Sequence, residues 1–397
     1  MNETVSTSET NFEAVMRNSK RFLTVLSVLS GAALSGAAIA APVSLSEENF
    51  AFIANAGFES HAGRDAIVLA SPAEGAPFSF GAAVLKGIGL KNGTIEYDVN
   101  FGDTRTFVGA NFRMQDQNNY EEFYMRAHQS GNPDANQYMP RFNGVPSWQL
   151  YYGPAYSSAT TYDFGTWTPV KLEVSEDRMD VYIGDMETPA IASVLRRDIM
   201  PGGIGFWGLN LGGPAWISNI NVTPAESLEL AGTPSAPEPM AVGTIAEWQV
   251  SDPFDGASLN SKTNIGDMAS GASYQALDAE ASGLVNLARL HGIEAGKDTV
   301  FAKVSITAEQ ASTKQFEFGF SDDVRVYLNG ALLVEASDRY RTRDYRFLGT
   351  VGYWDSVYLP LKAGENELVL AITEDVADTT GWAVQGRLPD VEGLSIK

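Results

Sequence analysis

Apolar and polar residues alternate over short runs along most of this chain, and Gly, Asn, Asp and Pro separate the runs. A period of two is typical of β-strands that bury one face. The single stretch of helical character, Met268–Leu290, is interrupted by two glycines, so an all-β chain is expected. The predicted strands are Gly93–Val99, Phe107–Met114, Tyr120–His128, Pro169–Val174, Asp180–Ile183, Phe316–Phe320, Val324–Leu328 and Glu367–Ile372.

A stretch rich in proline, residues 232–240, divides this pattern into two parts of sandwich-like texture. The length of the chain also favours two domains. We predict two β-sandwich or jelly-roll domains in tandem, over residues 41–224 and 244–397, with a proline-rich linker over 225–243 between them.

The N-terminal residues predict export. Arg17, Lys20 and Arg21 precede an apolar run, Phe22–Ala40, that ends in the small-residue cleavage pattern Ala-Ile-Ala. This is typical of a signal peptide, here residues 1–40, with translation starting at Met1 or Met16. The alternative is an uncleaved membrane anchor. We expect an extracytoplasmic protein, periplasmic or secreted, that has no membrane contact after cleavage.

Composition narrows the chemistry. The chain has no cysteine, which excludes disulfides and thiolate sites, and its three histidines are too far apart to suggest zinc. A formal charge of -22 disfavours nucleic acid as a partner. No cofactor is predicted, although Asp322 and Asp323, or Asp252 and Asp255, are candidates for calcium ligands. The sequence does not indicate an oligomeric state.

The run Tyr120–His128 carries the candidate chemistry. At a strand's period, Glu121, Phe123, Met125 and Ala127 share one face. The other face combines aromatic rings with charged groups that suit a sugar: Tyr120, Glu122, Tyr124, Arg126 and His128. If Phe107–Met114 folds back as a hairpin, Asn111 and Arg113 join this face. The alternative is a solvated outer face of an antiparallel sheet.

The segment that follows, Gln129–Pro146, is long, polar and punctuated by glycine, and it leads into a predicted aromatic strand, Trp148–Tyr152. Long loops beside a polar sheet face are often functional. For single aromatic residues here, burial in the core is the alternative. The candidate ligand-binding residues are Asn111, Arg113, Tyr124, Arg126, Gln137, Tyr138, Arg141, Trp148 and Tyr152, and the candidate acid/base residues are Glu122, His128 and Asp134.

The first part of the chain resembles a known superfamily in several segments: Asn92–Val99, Phe112–Asp116, Asn119–His128, Trp167–Val174, Gly203–Phe206 and Ala215–Val222. Together they resemble the concanavalin A-like lectin/glucanase superfamily, in particular laminin-G-like and 3-keto-disaccharide hydrolase-like domains. The resemblance implies a β-sandwich, a fold that hosts lectins, hydrolases, lyases and inert spacers.

One catalytic pattern of that superfamily is broken here. Its retaining glucanases use Glu-x-Asp-x-x-Glu on one strand, whereas this chain has Glu96, Asp98 and then Phe101. Glu121 and Glu122 cannot replace the missing pair, because neighbouring strand residues point to opposite faces. This mechanism is therefore not expected.

The second part of the chain resembles a galactose-binding-like jelly roll, in Phe318–Gly330 and Leu359–Leu370. Asn329 and Gly330 predict a tight hairpin turn there. A basic run between these segments, Arg339–Phe347, is either an anion-recognition loop or a solvated or docking loop.

We expect an exported protein that recognises an oligo- or polysaccharide on the polar-aromatic face and long loop of its first sandwich. Arg113 and Arg126 are expected to keep Glu122 ionised, which favours binding over hydrolysis. The alternatives are a glycoside hydrolase or lyase of the 3-keto-disaccharide-hydrolase type, with its acid/base residues on that face, and a structural or adhesion spacer.

Overall fold

A computed structural model describes residues 42–71, 79–102, 104–236, 239–343, 348–377 and 379–397. The predicted signal peptide lies outside these residues. The described chain is built from strands, and its single α-helix, α1 (Gly266–Gly271), is short. The expected all-β fold is confirmed. Across the described ranges, no helix is long and apolar enough to cross a membrane.

The chain divides into two compact units. In the described chain, the first unit comprises residues 42–141 and 151–235, and the second comprises residues 142–150 and 236–397. The division at residue 235 falls inside the residues predicted as a linker.

The first unit is a two-sheet sandwich of antiparallel strands. In chain order its strands are β1 (Phe50–Ala54), β2 (Gly57–His61), β3 (Arg64–Leu69), β4 (Ser79–Leu85), β5 (Asn92–Phe101), β6 (Thr106–Asp116), β7 (Asn119–Arg126), β8 (Asn136–Arg141), β9 (Ser157–Ser158), β10 (Thr168–Ser175), β11 (Arg178–Ile183), β12 (Ile191–Val194), β13 (Gly203–Asn210) and β14 (Ala215–Ala225). A 3-10 turn, Ala127–Gln129, follows β7. The first sheet has the order β1-β4-β13-β6-β7-β8-β9, and the second β12-β11-β10-β5-β14-β3-β2.

The alternation seen in the sequence builds the core between these two sheets. Ile95, Tyr97 and Val99 of β5 point inward from the second sheet, and Val108 and Ala110 of β6 point inward from the first. The ring of Tyr97 meets that of Phe206 on β13 edge to face, with centroids 5.1 Å apart. Every second residue of β6 and β7 therefore faces away from this core.

The second unit is also a sandwich. Its strands are β15 (Glu247–Ser251), β16 (Tyr274–Asp278), β17 (Val285–Asn286), β18 (Thr299–Ala308), β19 (Ser312–Phe320), β20 (Asp323–Leu328), β21 (Ala331–Ser337), β22 (Asp355–Leu361), β23 (Gly364–Thr373), β24 (Ala383–Arg387) and β25 (Leu394–Ile396), and its 3-10 turns are Gly256–Leu259 and Leu287–Arg289. One sheet has the order β16-β15-β18-β23-β20-β21, with β25 beside β18. The other sheet has the order β17-β24-β19-β22.

Local sequence signals explain parts of this unit. Asn329 and Gly330 both adopt positive φ, as the predicted turn between β20 and β21 requires. The helical character of Met268–Leu290 is realised only in α1, which ends at Gly271. The rest of that stretch forms β16, β17 and a 3-10 turn, because their pairing with neighbouring strands overrides local propensity.

The segment 142–150 corrects the predicted first domain, which was continuous from residue 41 to residue 224. This segment belongs to the second unit, where Val145 is buried in the core. Asn143 Nδ2 donates to the Ala288 carbonyl at 2.9 Å, and Gln149 Nε2 donates to the Leu348 carbonyl at 2.6 Å. Burial and hydrogen bonds therefore hold this piece of chain in the second unit.

Candidate functional site

The outer face of the first sheet, turned away from the sandwich core, carries the candidate site. Asn111 on β6 pairs directly with Glu122 on β7 and with Gly205 on β13. Directly opposed residues have Cβ atoms about 5 Å apart, so the amide and the carboxylate are neighbours. Arg141 on β8 approaches Glu122 diagonally, with Nε 3.6 Å from Oε2.

A tryptophan lies across the middle of this face. Trp207 on β13 pairs with Gly109 on β6, and a Cβ on residue 109 would lie 2.2 Å from the indole Nε1. Any side chain larger than that of glycine at position 109 would overlap the indole of Trp207. The ring centroid of Trp207 is 6.0 Å from that of Tyr124 on β7.

Asn111, Glu122, Arg141, Gly205 and Trp207 line a small pocket in the first unit, with a cavity volume of about 40 Å3. Its walls combine apolar side chains and aromatic rings with a few polar groups. The lining residues are Ile53, Phe80, Ala82, Val84, Asn111, Met114, Gln117, Tyr120, Glu122, Arg141, Gly205, Phe206 and Trp207. The ring of Tyr120 also lies under the Arg141 guanidinium, 5.5 Å from ring centroid to Cζ.

The polar groups of the pocket are buried and incompletely hydrogen-bonded. Glu122 is 1% exposed and Asn111 is 8% exposed. Both carboxylate oxygens of Glu122 and the Oδ1 of Asn111 lack a donor at hydrogen-bonding distance and angle among the described residues, although the Arg141 guanidinium and the Trp207 indole N–H lie near Glu122 and favour its ionised form. Burial raises the pKa of Glu122 above its ordinary value of 4.5, and the nearby Arg141 guanidinium opposes the rise without cancelling it. The arginine beside Glu122 is thus Arg141, whereas the expected pair, Arg113 and Arg126, binds other groups.

Arg113 is not on this face, which corrects its place among the ligand-binding residues. The register of β6 shifts after Phe112 against β7, and Arg113 itself has a φ of 49°. This bulge turns the guanidinium away and brings Met114 into the pocket. Arg113 Nε donates to the Lys91 carbonyl at 2.8 Å, and Nη2 donates to the Glu176 carbonyl at 2.6 Å.

Tyr124, Arg126 and Gln137 lie on the predicted face but form a buried network of their own. The Tyr124 hydroxyl donates to Gln137 Oε1 at 3.0 Å, and Arg126 Nη2 donates to the same oxygen at 2.7 Å. Gln137 Nε2 donates to the Tyr151 carbonyl at 2.6 Å. None of the three lines the pocket. The network fixes β7 against β8 and supports the site from one side.

Residues 129–146 were predicted as a loop but contain strand β8. On this strand, Tyr138 faces the core. Its hydroxyl donates to Glu121 Oε2 at 2.8 Å, and its ring belongs to the core of the first unit. On β8 the residues at odd positions, among them Arg141, share the outer face with Glu122. The arginine is thus brought to the pocket by strand pairing rather than by a loop.

The other two candidate acid/base residues lie outside the pocket lining. His128 sits in the 3-10 turn after β7, with its ring 4.9 Å from that of Phe107. Burial, together with the charges of Arg105 and Arg126, lowers the pKa of His128 to about 4, so the imidazole is neutral at pH 7. Asp134 uses its backbone carbonyl to accept from Arg126 Nη1 at 2.7 Å.

Two aromatic candidates, from a run predicted as a strand that forms a turn over residues 148–150, do not line the pocket. Trp148 belongs to the second unit, where its ring meets that of Tyr340 at 5.9 Å. Tyr152 belongs to the first unit and is 40% exposed, but it does not line the pocket. Of the predicted set, the pocket lining therefore retains Asn111, Glu122 and Arg141.

The acidic and basic residues singled out in the second unit are largely engaged with one another. Arg339 pairs with Asp323 at 2.5 Å and with Asp375 at 2.6 Å. Asp255 caps a 3-10 turn by accepting from Ala257 N. In the described ranges, no three His, Cys, Asp or Glu side chains converge as a metal site would need. Residues 344–347 of the basic run lie outside the described residues.

Trp207 is the functional candidate that sequence reasoning missed. The alternation that follows Gly203 places Gly205 and Trp207 on one face, so the signal was present. The position of the Trp207 indole depends on Gly109, a residue on another strand. Pairing between strands that are distant in sequence cannot be predicted from local pattern.

No protein-family model matches the sequence, and no curated protein matches it. Similar solved structures include the carbohydrate-binding module CBM66 from Bacillus subtilis, at 16% identity and a TM-score of 0.32, over 43% of this chain and 94% of that one. A β-glucanase from Bacillus licheniformis is 12% identical, with a TM-score of 0.35, over 47% of this chain and 96% of that one. The exoplasmic/lumenal domain of VIP36, bound to Ca2+ and Man3GlcNAc, is 14% identical, with a TM-score of 0.35, over 49% and 90%. At these identities and scores the likeness says nothing about ligand or reaction.

Proposed function

We propose that this chain binds a glycan in the pocket around Glu122. The observation that carries the proposal is the set of buried acceptor oxygens without donors, two on Glu122 and one on Asn111. A buried polar atom without a partner costs about 1–3 kcal/mol, so a site that keeps three of them is built for a ligand or water that supplies donors. A sugar, with several hydroxyl groups on a compact ring, supplies donors at this density.

The apolar part of the pocket fits the same class of ligand. Trp207 and Tyr120 contribute aromatic surface beside the acceptors. The π face of an aromatic ring carries partial negative charge and attracts the weakly positive C–H groups of a sugar ring. The Arg141 guanidinium adds donors for ring or hydroxyl oxygens.

The second candidate is a glycan hydrolase or lyase that uses Glu122. A carboxyl group whose pKa is raised by burial can donate a proton, which favours this reading. Most glycoside hydrolases, however, need two carboxyl groups across the bond that breaks. Of the described residues that line the pocket, Glu122 alone carries a carboxylate. Binding is therefore favoured over hydrolysis.

The proposal includes export, on the strength of the sequence of residues 1–40. N-terminal sequencing of the protein recovered outside the cytoplasm is expected to begin at or near Ala41. An intact N-terminus retained in the membrane fraction would contradict this part of the proposal.

The pocket is tested by screening the protein on an array of neutral and acidic oligosaccharides. Glu122→Gln replaces one acceptor oxygen with a donor, and Asn111→Ala removes one acceptor, so both are expected to weaken binding at least several-fold. Glu187→Gln is the matched control, because it makes the same change at an exposed turn of the same unit. Equal binding by all three variants would refute the pocket.

Release of reducing ends from each bound oligosaccharide separates binding from catalysis. Under the binding proposal no reducing ends accumulate with the wild type. Under the enzyme alternative they do, and Glu122→Gln abolishes their release while much of the binding survives.

A further inference from the structure

The most exposed aromatic side chains of the described residues lie in the second unit. Tyr358 is 67% exposed and Trp354 is 53% exposed. Most other large aromatic side chains in the described ranges are buried or half-buried. Two rings that remain in water on one short stretch therefore call for an explanation.

Strand pairing sets the direction of Tyr358. On β22 the exposed residues are Ser356, Tyr358 and Pro360, and they alternate with residues that point toward the core. Trp354 directly precedes the strand. Four extended residues span at most about 13 Å, so the backbone sites of the two rings lie within the length of a short oligosaccharide.

The indole of Trp354 is held in place by a hydrogen bond and by packing against the backbone. Its Nε1 donates to the Thr350 carbonyl at 2.7 Å. A Cβ on residue 352 would lie 2.5 Å from the ring carbon Cε2, so the ring lies against the backbone of Gly352. The ring therefore keeps a fixed position while more than half of the side chain faces solvent, and it loses little entropy when a ligand stacks on it.

Polar groups lie beside the two rings. Tyr358 pairs with Gln315 on β19, and Ser356 pairs with Glu317. The Glu317 carboxylate accepts from Arg387 Nε at 2.6 Å, and the Arg387 guanidinium lies 4.4 Å from the ring centroid of Tyr353. These groups offer donors and acceptors while their charges cancel, in a chain whose formal charge is -22. A neutral, hydroxyl-rich ligand suits this surface better than a cation or a polyanion.

The fold disfavours the other obvious occupant, a strand from another chain. β22 is the edge of its sheet, and an open edge invites strand addition. Pro360 lies within β22, and proline has no N–H to offer an added strand. The available surface is thus the side-chain face rather than the edge.

We propose that the outer face of the β17-β24-β19-β22 sheet is a second glycan site, in which Trp354 and Tyr358 stack on a neutral polysaccharide. It is independent of the Glu122 pocket and belongs to the other unit. A neutral chain longer than one sugar is expected, because the two exposed rings belong to residues four apart in the sequence.

The test is electrophoresis of the full protein in native gels that contain mixed-linkage β-glucan, xylan, galactomannan or amylose. At least one of these polysaccharides is expected to retard the wild type. Trp354→Ala and Tyr358→Ala are each expected to raise the dissociation constant on the order of tenfold, as loss of a stacking anchor does. Gly352→Ala keeps the indole but displaces it, and is expected to have the same effect.

Phe164→Ala is the matched control, since it removes a partly exposed ring from the first unit. Glu122→Gln must leave the retardation by this site intact. Tyr358→Ser alters a solvent-exposed side chain and gives a folded variant if the tryptophan variant unfolds.

Three results would overturn the proposal. One is that none of the four polysaccharides retards the wild type. Another is that Glu122→Gln abolishes the retardation while the Trp354 and Tyr358 variants keep it, which would leave the pocket as the sole site. The third is a self-association in sedimentation velocity that the Trp354 and Tyr358 variants lose while retardation is unchanged, which would make this face a contact between copies.

Discussion

Gly109 and Trp207 lie directly opposite each other on β6 and β13, and the indole occupies the space where a side chain at position 109 would stand. A glycine in the middle of a strand weakens it and often marks a close approach. Here the close approach is made by an indole that forms one wall of the pocket. The glycine is therefore a feature of the site.

Gly109→Ala tests this relationship. The new methyl group would force the indole to move, at a cost of about 1–3 kcal/mol in the free energy of unfolding. The variant should also lose affinity for any glycan that the wild type binds on the array. Gly57→Ala is a suitable control, because a Cβ there meets no atom within 4 Å. Unchanged stability and binding in Gly109→Ala would show that the indole does not depend on the glycine.

Glu122→Gln should change the pH dependence of stability. Burial raises the pKa of Glu122 above that of the unfolded chain, so its contribution is fully present below about pH 4 and is lost as the pH rises through the folded pKa. Glutamine does not ionise, so the variant does not lose this contribution to stability as the pH rises. Its melting temperature relative to the wild type should therefore increase as the pH is raised from about 4 to 8. A constant difference across this range would mean that burial does not govern the ionisation of Glu122.

Arg113→Lys should lower stability without affecting the pocket. The guanidinium makes buried hydrogen bonds to the Lys91 and Glu176 carbonyls and to Asn92 Oδ1, and an ammonium group cannot make all of them. We expect a loss of about 2–4 kcal/mol in the free energy of unfolding from urea denaturation. Glycan affinity of the folded fraction should equal that of the wild type. A selective loss of affinity would place Arg113 back at the site.

Asp322→Asn should flatten the pH dependence of the second unit. Burial is the main cause that raises the pKa of Asp322 above its ordinary value of 3.8, and the pKa of the buried Glu374 is raised by burial and by Asp322. The wild type therefore has the full contribution of Asp322 below about pH 4 and loses it as the pH rises. Asparagine retains the acceptor for the Asp375 N–H, which Asp322 Oδ2 binds at 2.6 Å. Melting curves from about pH 4 to 8 should converge at the acidic end and separate above it, with the variant higher.

The segment 142–150 should be required for a stable second unit. A fragment of residues 236–397 lacks Val145 and the hydrogen bonds of Gln149. It should melt lower than the same fragment mixed with a synthetic peptide of residues 142–150. A peptide in which Val145 is replaced by aspartate is the control. Equal melting in all three samples would show that the segment adds nothing to this core.

Local pattern predicted the strands around the site well, because β5, β7 and β6 up to Phe112 alternate cleanly and each buries one face. It failed at the end of β6 and at β8. The bulge at Arg113 reverses the alternation through a single residue of positive φ, and nothing in the side-chain pattern announces it. Strand β8 was read as a loop, because its sequence lacks aliphatic residues and contains Pro140, although pairing with β7 forms it.

The candidate site was predicted only in part for the same reason. Glu122 and Asn111 were placed correctly on one face by alternation within their strands. Which rings stand beside them depends on pairings between strands far apart in sequence, and Trp207 entered the site through β13 in this way. The burial that raises the pKa of Glu122 is likewise a property of the whole sheet.

The path of the chain through residues 142–150 bears on how this protein is made and inherited. Residues 142–150 leave the ribosome long before residues 236–397. The segment therefore cannot pack until the core of the second unit has been synthesised. Folding of the second unit cannot finish until its last strands are synthesised. A recombination event within the proline-rich stretch would also separate the segment from its unit. The two units are thus expected to be inherited together rather than exchanged as separate domains.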